Sequence, residues 1–135
     1  MKIIVDAMGG DNAPQAPVMG AVQANKEYGV DITLVGRGEE ILKVLEDNGI
    51  KNLPAGIEIA HASEVVEMCD NPATAFREKK DSSLTVGLNL LKSGQGDAFV
   101  SAGSTGALLS GATLVVKRIK GIRRAALAPV VPTGN

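Results

Sequence analysis

At 135 residues, with 44% hydrophobic and 21% charged residues and a formal net charge of -1 at pH 7, the chain holds material for one hydrophobic core and reads as one domain, 1–135. That balance excludes a global attraction to nucleic acid or to an anionic membrane surface. Cys69 has no second cysteine to pair with, neither it nor the only histidine, His61, lies in metal-ligand spacing, Asp6 and Asp11 interrupt any signal-peptide run, and no segment offers the ~18 apolar residues of a membrane span, so a cytoplasmic protein without metal or other cofactor is expected.

In chain order, KIIVD (2–6) is a short β-branched run and predicts a strand. After an Asn-Ala-Pro start signal, apolar residues at helical spacing predict a helix over 16–28. DITLVGRG (31–38) repeats the strand, and EEILKVLEDNG (39–49) sets Ile41, Leu42 and Leu45 on one helical face with Gly49 as its stop. GIEIAHA (56–62) alternates as a third strand; Pro72 opens a short helix through residue 80, and a second helix runs from 82 or 83 to about 93. GDAFVSAG (96–103) is a fourth strand, a helix of small and apolar residues follows from 104 to about 120, and 125–131 starts a fifth strand. The alternation βαβαβααβαβ predicts a three-layer α/β/α fold, a mostly parallel sheet with right-handed crossovers and helices on both faces.

In such sheets ligands bind beyond the carboxyl ends of the strands, where both glycine-rich turns fall: AMGGDN after the first strand and SAGSTGA after the fourth. Ser101, Gly103, Ser104, Thr105 and Gly106 stand at a strand-to-helix junction whose free N–H groups suit an anion, although a plain N-cap at Ser104 or Thr105 with tight packing at the glycines reads equally well. Gly36-Arg37-Gly38 begins a dinucleotide fingerprint, but Ile41 stands where its third glycine belongs. Ala102-Gly103-Ser104-Thr105-Gly106 approximates a nucleophile elbow, yet no histidine follows Ser104 to serve as base. Arg77, Lys79 and Lys80 form one basic cluster and Lys117, Arg118, Lys120, Arg123 and Arg124 another, read either as cations at helix ends or as a landing surface for phosphate or an acidic protein.

Four stretches in order, VDAMGGD, REKKDSS, SAGSTGALLSGA and RIKGIRRAALAPVVPT, resemble the amino-terminal part of the bacterial phosphate acyltransferases of phospholipid synthesis, the PlsX family, essentially end to end. The resemblance implies a fold similar to phosphotransacetylases and to isocitrate and isopropylmalate dehydrogenases. It implies transfer of a fatty acyl group from acyl carrier protein to inorganic phosphate, the acyl phosphate passing to a glycerol-3-phosphate acyltransferase. It further implies a homodimer, peripheral membrane association and a carboxyl-terminal part beyond this chain, without which the fragment is expected to be inactive.

On that reading phosphate is itself the nucleophile, so a serine or cysteine nucleophile is not needed. Asp6, Ser104 and Thr105 are the candidate catalytic residues. Gly9, Gly10, Asp11, Arg77, Lys79, Lys80, Ser101, Gly103 and Gly106 are the candidate phosphate or substrate contacts, the later basic run facing the carrier protein. Asp6 and Asp11 fit hydrogen bonds that fix the glycine loop, a cap by Asp11 on the first helix, or a proton acceptor. Many members of that family carry Asn where this chain has Ser104, and His where it has Asn12. A non-catalytic phosphate- or nucleotide-binding module and a serine esterase remain as rivals.

Overall fold

The computed structural model describes residues 1–126 and 128. Its strands β1 (Lys2–Asp6), β2 (Asp31–Gly36), β3 (Ile57–His61) and β4 (Ala98–Val100) are all parallel and lie in the order β3-β2-β1-β4. The helices are α1 (Gln15–Tyr28), α2 (Gly38–Asp47), α3 (Ala75–Glu78), α4 (Ser83–Lys92) and α5 (Thr105–Val115). The first three strands step outward in one direction and β4 returns to the other side of β1. Right-handed crossovers running in opposite directions along a sheet deposit their helices on opposite faces, which is why α1 and α2 cover one face and α4 the other.

Alternation along the strands divides the core accordingly. Ile32 and Leu34 of β2 point toward α1 and α2, where Val18, Ile41 and Leu45 complete one buried cluster. Ile4, Val35 and Ala62 pack on the opposite side beneath Val86, Leu90 and Leu91 of α4. Burial on both faces explains why β2 reads as a continuous apolar run rather than an alternating one. A third cluster of Leu84, Leu88, Ala107 and Val115 joins α4 to α5, so α5 packs on α4 and α3.

Three elements are shorter than the sequence predicts. The helix expected from 72 to 80 is the single turn α3: Asn71 first forms a turn, its side-chain Oδ1 accepting from Ala73 N at 3.0 Å, and Lys79 leaves helical geometry at ψ 75° to reach Asp70 and the Val65 carbonyl. The helix expected from 104 to about 120 ends at Val115, because Lys117 adopts a left-handed φ of 72° and its N–H bonds back to Ala112 O at 2.9 Å. The fourth strand is ladder-bonded only over Ala98–Val100. The fifth strand expected over 125–131 lies largely outside the described residues, and the described positions 125, 126 and 128 are not strand.

Candidate functional site

The strand order reverses between β1 and β4, and in open α/β sheets the crevice at such a reversal, outside the carboxyl ends of the strands, is where ligands bind. Both glycine-rich turns leave the sheet there. Ala7 N still bonds to Val35 O at 2.9 Å, after which the chain turns through Met8, Gly9 and Gly10, the last at φ 104°, a conformation natural only to glycine.

One buried carboxylate joins the two turns. Asp6, only 3% exposed, accepts from Met8 N at 3.1 Å through Oδ1 and from the Ser101 hydroxyl at 2.7 Å through Oδ2. The Ser101 hydroxyl in turn accepts from Gly103 N at 3.1 Å. The turn after β1 and the turn after β4, 95 residues apart in sequence, are thus stapled by a chain of side-chain-to-backbone bonds. Burying a charged carboxylate requires such partners, since an unpaired one is strongly unfavourable.

The glycines let the turns touch through backbone. A Cβ on Gly9 would lie 2.6 Å from Asp6 Oδ2, 2.8 Å from Ser101 Oγ and 2.9 Å from Gly103 N; one on Gly103 would lie 3.4 Å from Gly9 Cα. Beside this junction α5 begins. Ser104 is its N-cap, with Oγ accepting from Ala107 N at 3.3 Å, so the N–H groups of Thr105 and Gly106 at the first turn have no partner within the helix and carry the positive end of its dipole. Gly106 faces Pro72, to which a Cβ there would come within 3.1 Å.

Asp6, Gly9, Gly10, Ser101 and Gly103 therefore meet at one point, with Ser104, Thr105 and Gly106 immediately following. Gly103 N and the Ser101 hydroxyl are committed to the staple rather than turned outward, which leaves the helix start as the donor surface. Asp11 does not cap α1: Pro14 occupies the N-cap position with no side-chain cap bond, and Asp11 is exposed within the turn before it, where Ala13 N bonds to Gly10 O at 3.2 Å. Lys79 is engaged by Asp70 and the Val65 carbonyl, and the pairing holds Asp70 below the usual carboxylate range and Lys79 above the usual amine value. Arg77 and Lys80 are exposed, on and just after α3.

Two features escaped the sequence. The segment from Ser63 to Ser82 leaves the end of β3 and returns to it, its neck pinned by Asp81, which accepts from the Ser63 hydroxyl at 2.5 Å and Ser63 N at 3.0 Å, while Asp81 N donates to Glu64 Oε2 at 2.9 Å. Those two bonds from Ser63 lower the Asp81 pKa. The Asp-Ser-Ser run at 81–83 was the available signal. The Pro72 contact with Gly106 had none. The elbow reading of Ser104 loses its geometry: the only histidine, His61, ends β3 three strand spacings away, roughly 14 Å, and its Nδ1 accepts from Gly38 N at 3.3 Å. Among the described residues no helix is long and apolar enough to cross a membrane, and no group of three or more His, Cys, Asp or Glu could hold a metal ion.

The family model described as fatty acid synthesis protein matches residues 1–135. The chain is 48% identical over 136 residues to a phosphate acyltransferase of Thermoanaerobacter pseudethanolicus, covering all of this chain and 39% of that protein. It is 50% identical over 133 residues to the phosphate acyltransferase of Geobacter sulfurreducens, with 98% of this chain and 38% of that protein covered. With that of Magnetococcus marinus the identity is 51% over 133 residues, with 98% and 37% covered. The chain thus spans a little under two fifths of these curated relatives. A serine esterase and a non-catalytic binding module find no support in them.

Proposed function

The chain belongs to the fatty acid synthesis protein family, and from that premise we propose that it is the amino-terminal part of an enzyme that transfers a fatty acyl group from acyl carrier protein to inorganic phosphate. The observation that carries this reading is the Asp6 staple, which holds two glycine turns at the reversal point of the sheet beside the start of α5.

Phosphate is largely ionised at neutral pH and attacks a thioester carbonyl without help from a protein nucleophile. The phosphate oxygen forms a bond to the acyl carbon, the C–S bond breaks, and the carrier's thiolate departs. Orientation of two bound reactants supplies ~7–11 kcal/mol of such a barrier, and one donor aimed at the developing oxyanion about 3–4 kcal/mol. The N–H groups of Thr105 and Gly106 and the Thr105 hydroxyl are the donors in this proposal, for phosphate or for the oxyanion. Gly9 and Gly10 admit the anion close to backbone. Asp6 acts as a positioning residue: both its oxygens already receive hydrogen bonds that fix the cradle.

Arg77 and Lys80 attract phosphate or carrier, and the exposed basic run from Lys117 to Arg124 faces the acidic carrier protein. A homodimer at the membrane surface that hands acyl phosphate to a glycerol-3-phosphate acyltransferase completes the proposal. The test incubates the full-length protein with acyl carrier protein thioester and phosphate and traps acyl phosphate with hydroxylamine. Phosphate-dependent acyl hydroxamate is expected; free fatty acid alone, or no product, refutes the reading.

A further inference from the structure

Gly36 ends β2 without a positive φ, so the backbone there does not call for glycine. What calls for it is space. A Cβ on Gly36 would lie 2.7 Å from Met8 Cγ, 2.9 Å from Met8 Sδ and 3.4 Å from Ala7 Cβ. The Met8 side chain, 8% exposed, thus occupies the place that a side chain at 36 would take. Alternation along β2 turns position 36 to the same face as Ile32 and Leu34, so Met8 sits at the rim end of the cluster beneath α1 and α2, to which Ala7 belongs. The seat is held from both sides: Gly36 O accepts from Ala62 N at 2.8 Å and Val35 O from Ala7 N at 2.9 Å, which ties the end of β2 to both neighbouring chains. The first glycine of Gly36-Arg37-Gly38 is thereby accounted for without a dinucleotide, since it faces Met8.

We propose that Met8, seated on Gly36, is a positioning residue for the transfer. The inference rests on the acyl-transfer reading above and extends it to how the first glycine turn is held. In the sheet order the turn after β1 lies between the ends of β2 and β4. Ser101 holds it from the β4 side through Asp6, and Met8 holds it from the β2 side. Between Met8, whose N–H bonds to Asp6 Oδ1, and Gly10, whose carbonyl accepts from Ala13 N, stands Gly9, which has no side chain to anchor. Met8 is therefore the last residue before the glycines that a side chain can fix. Any shift of it passes directly to Gly9, which is packed against Asp6, Ser101 and Gly103. A thioether suits the task, because its unbranched chain fills the hole left by the missing side chain at 36 while the strand ladder beneath stays intact.

The test measures kcat and the KM of phosphate and of acyl carrier protein thioester for the full-length protein as wild type, Met8→Leu, Met8→Ala, Gly36→Ala and the combination of Met8→Ala with Gly36→Ala. Met8→Ala and Gly36→Ala are each expected to raise the phosphate KM about tenfold or more, within the roughly 100-fold that a misplacement near 1 Å produces, while the thioester KM holds. Met8→Leu, which nearly preserves volume, recovers most of the loss. In the combined variant the added methyl group meets no thioether, so its phosphate KM is expected to match that of Met8→Ala, whereas independent residues would multiply their effects. A merely structural role would lower the amount of folded enzyme, and with it the apparent kcat, at an unmoved phosphate KM. A wild-type phosphate KM in Met8→Ala overturns the proposal, and so do multiplying effects in the combined variant. Should Gly36→Ala not fold, the two Met8 variants decide alone: a phosphate KM raised in Met8→Ala and recovered in Met8→Leu supports the seat, and equal values overturn it. If wild type makes no acyl phosphate at all, the transfer reading fails by itself. The seat is then judged by amide hydrogen exchange over residues 8–12 of the full-length protein: faster exchange in Met8→Ala than in Met8→Leu supports it, and equal exchange overturns it.

Discussion

Replacing Gly9 by alanine adds one methyl group at the point where the two turns touch. The new carbon would lie 2.6 Å from Asp6 Oδ2, about 0.8 Å inside the shortest ordinary contact of 3.4 Å, and would also crowd Ser101 Oγ and Gly103 N. None of the three is the free end of a long side chain: two form the Ser101–Asp6 hydrogen bond and the third is backbone. Overpacking of this kind costs about 1–3 kcal/mol, and rupture of a bond to a buried carboxylate adds about 1.5–3 kcal/mol, so a loss of about 1–6 kcal/mol is expected according to whether the staple shifts or breaks. A displacement near 1 Å at the cradle should also reduce acyl phosphate formation about 100-fold. Denaturant unfolding of the full-length protein reads the first effect and hydroxamate trapping the second. Gly38→Ala is the control on the same rim, since its Cβ would meet His61 Nδ1 at 3.6 Å and Ile59 Cγ2 at 3.8 Å, both ordinary contacts. A Gly9→Ala protein as stable and as active as the Gly38→Ala control would refute the staple and everything drawn from it.

Ser104→Ala removes the α5 cap and should cost about 1 kcal/mol in an unfolding titration while acyl transfer continues; complete loss of transfer in a folded protein would restore a covalent role for Ser104. Asp6→Ala should destabilise by about 1–3 kcal/mol and raise the phosphate KM, with Asp6→Asn in between because its amide keeps an acceptor for Met8 N; equal behaviour of the two would show that the acceptor is immaterial. The Asp81 pKa is lowered in the folded protein, so its contribution to the neck of the 63–82 segment is present at neutral pH and is lost as pH falls below the ordinary carboxylate range, near pH 4. Amide hydrogen exchange at the neck, residues 63–64 and 81–83, should accelerate there in wild type and change less with pH in Asp81→Asn, which keeps only the Asp70–Lys79 pair to be lost. Gly87 lies against the Phe99 ring with no room for a methyl group, and Gly87→Ala should lower stability by about 1–3 kcal/mol, visible as a lower Tm.

Much of the fold was legible because it is written in local terms. The β-branched runs ending at Asp6, Gly36 and His61 and the periodic stretch with Ile41 and Leu45 needed no distant partner to be recognised. Gly49 as a helix stop follows from its left-handed φ of 78°. The end of α5 was not legible, because the apolar run continues through Val116 and the left-handed residue is Lys117, a type that carries no stop signal. Likewise α3 is cut short by Lys79 reaching Asp70, a contact nine residues away. At the site, sequence placed the glycines and both acids on one rim. It did not separate Asp6, buried between two turns, from Asp11, exposed in solvent, since that difference depends on Ser101 arriving from the far side of β1.

The 95-residue separation between Asp6 and Ser101 also imposes an order on biosynthesis. At translation rates of ~5–20 residues per second, the first turn leaves the ribosome roughly 5–20 s before its counterpart exists. During that interval β1 can pair with β2, but Asp6 lacks the Ser101 hydroxyl and stands at an unfinished edge. The newly made amino-terminal segment is therefore committed to its sheet early and receives the Ser101 half of the staple only when β4 slides in beside β1.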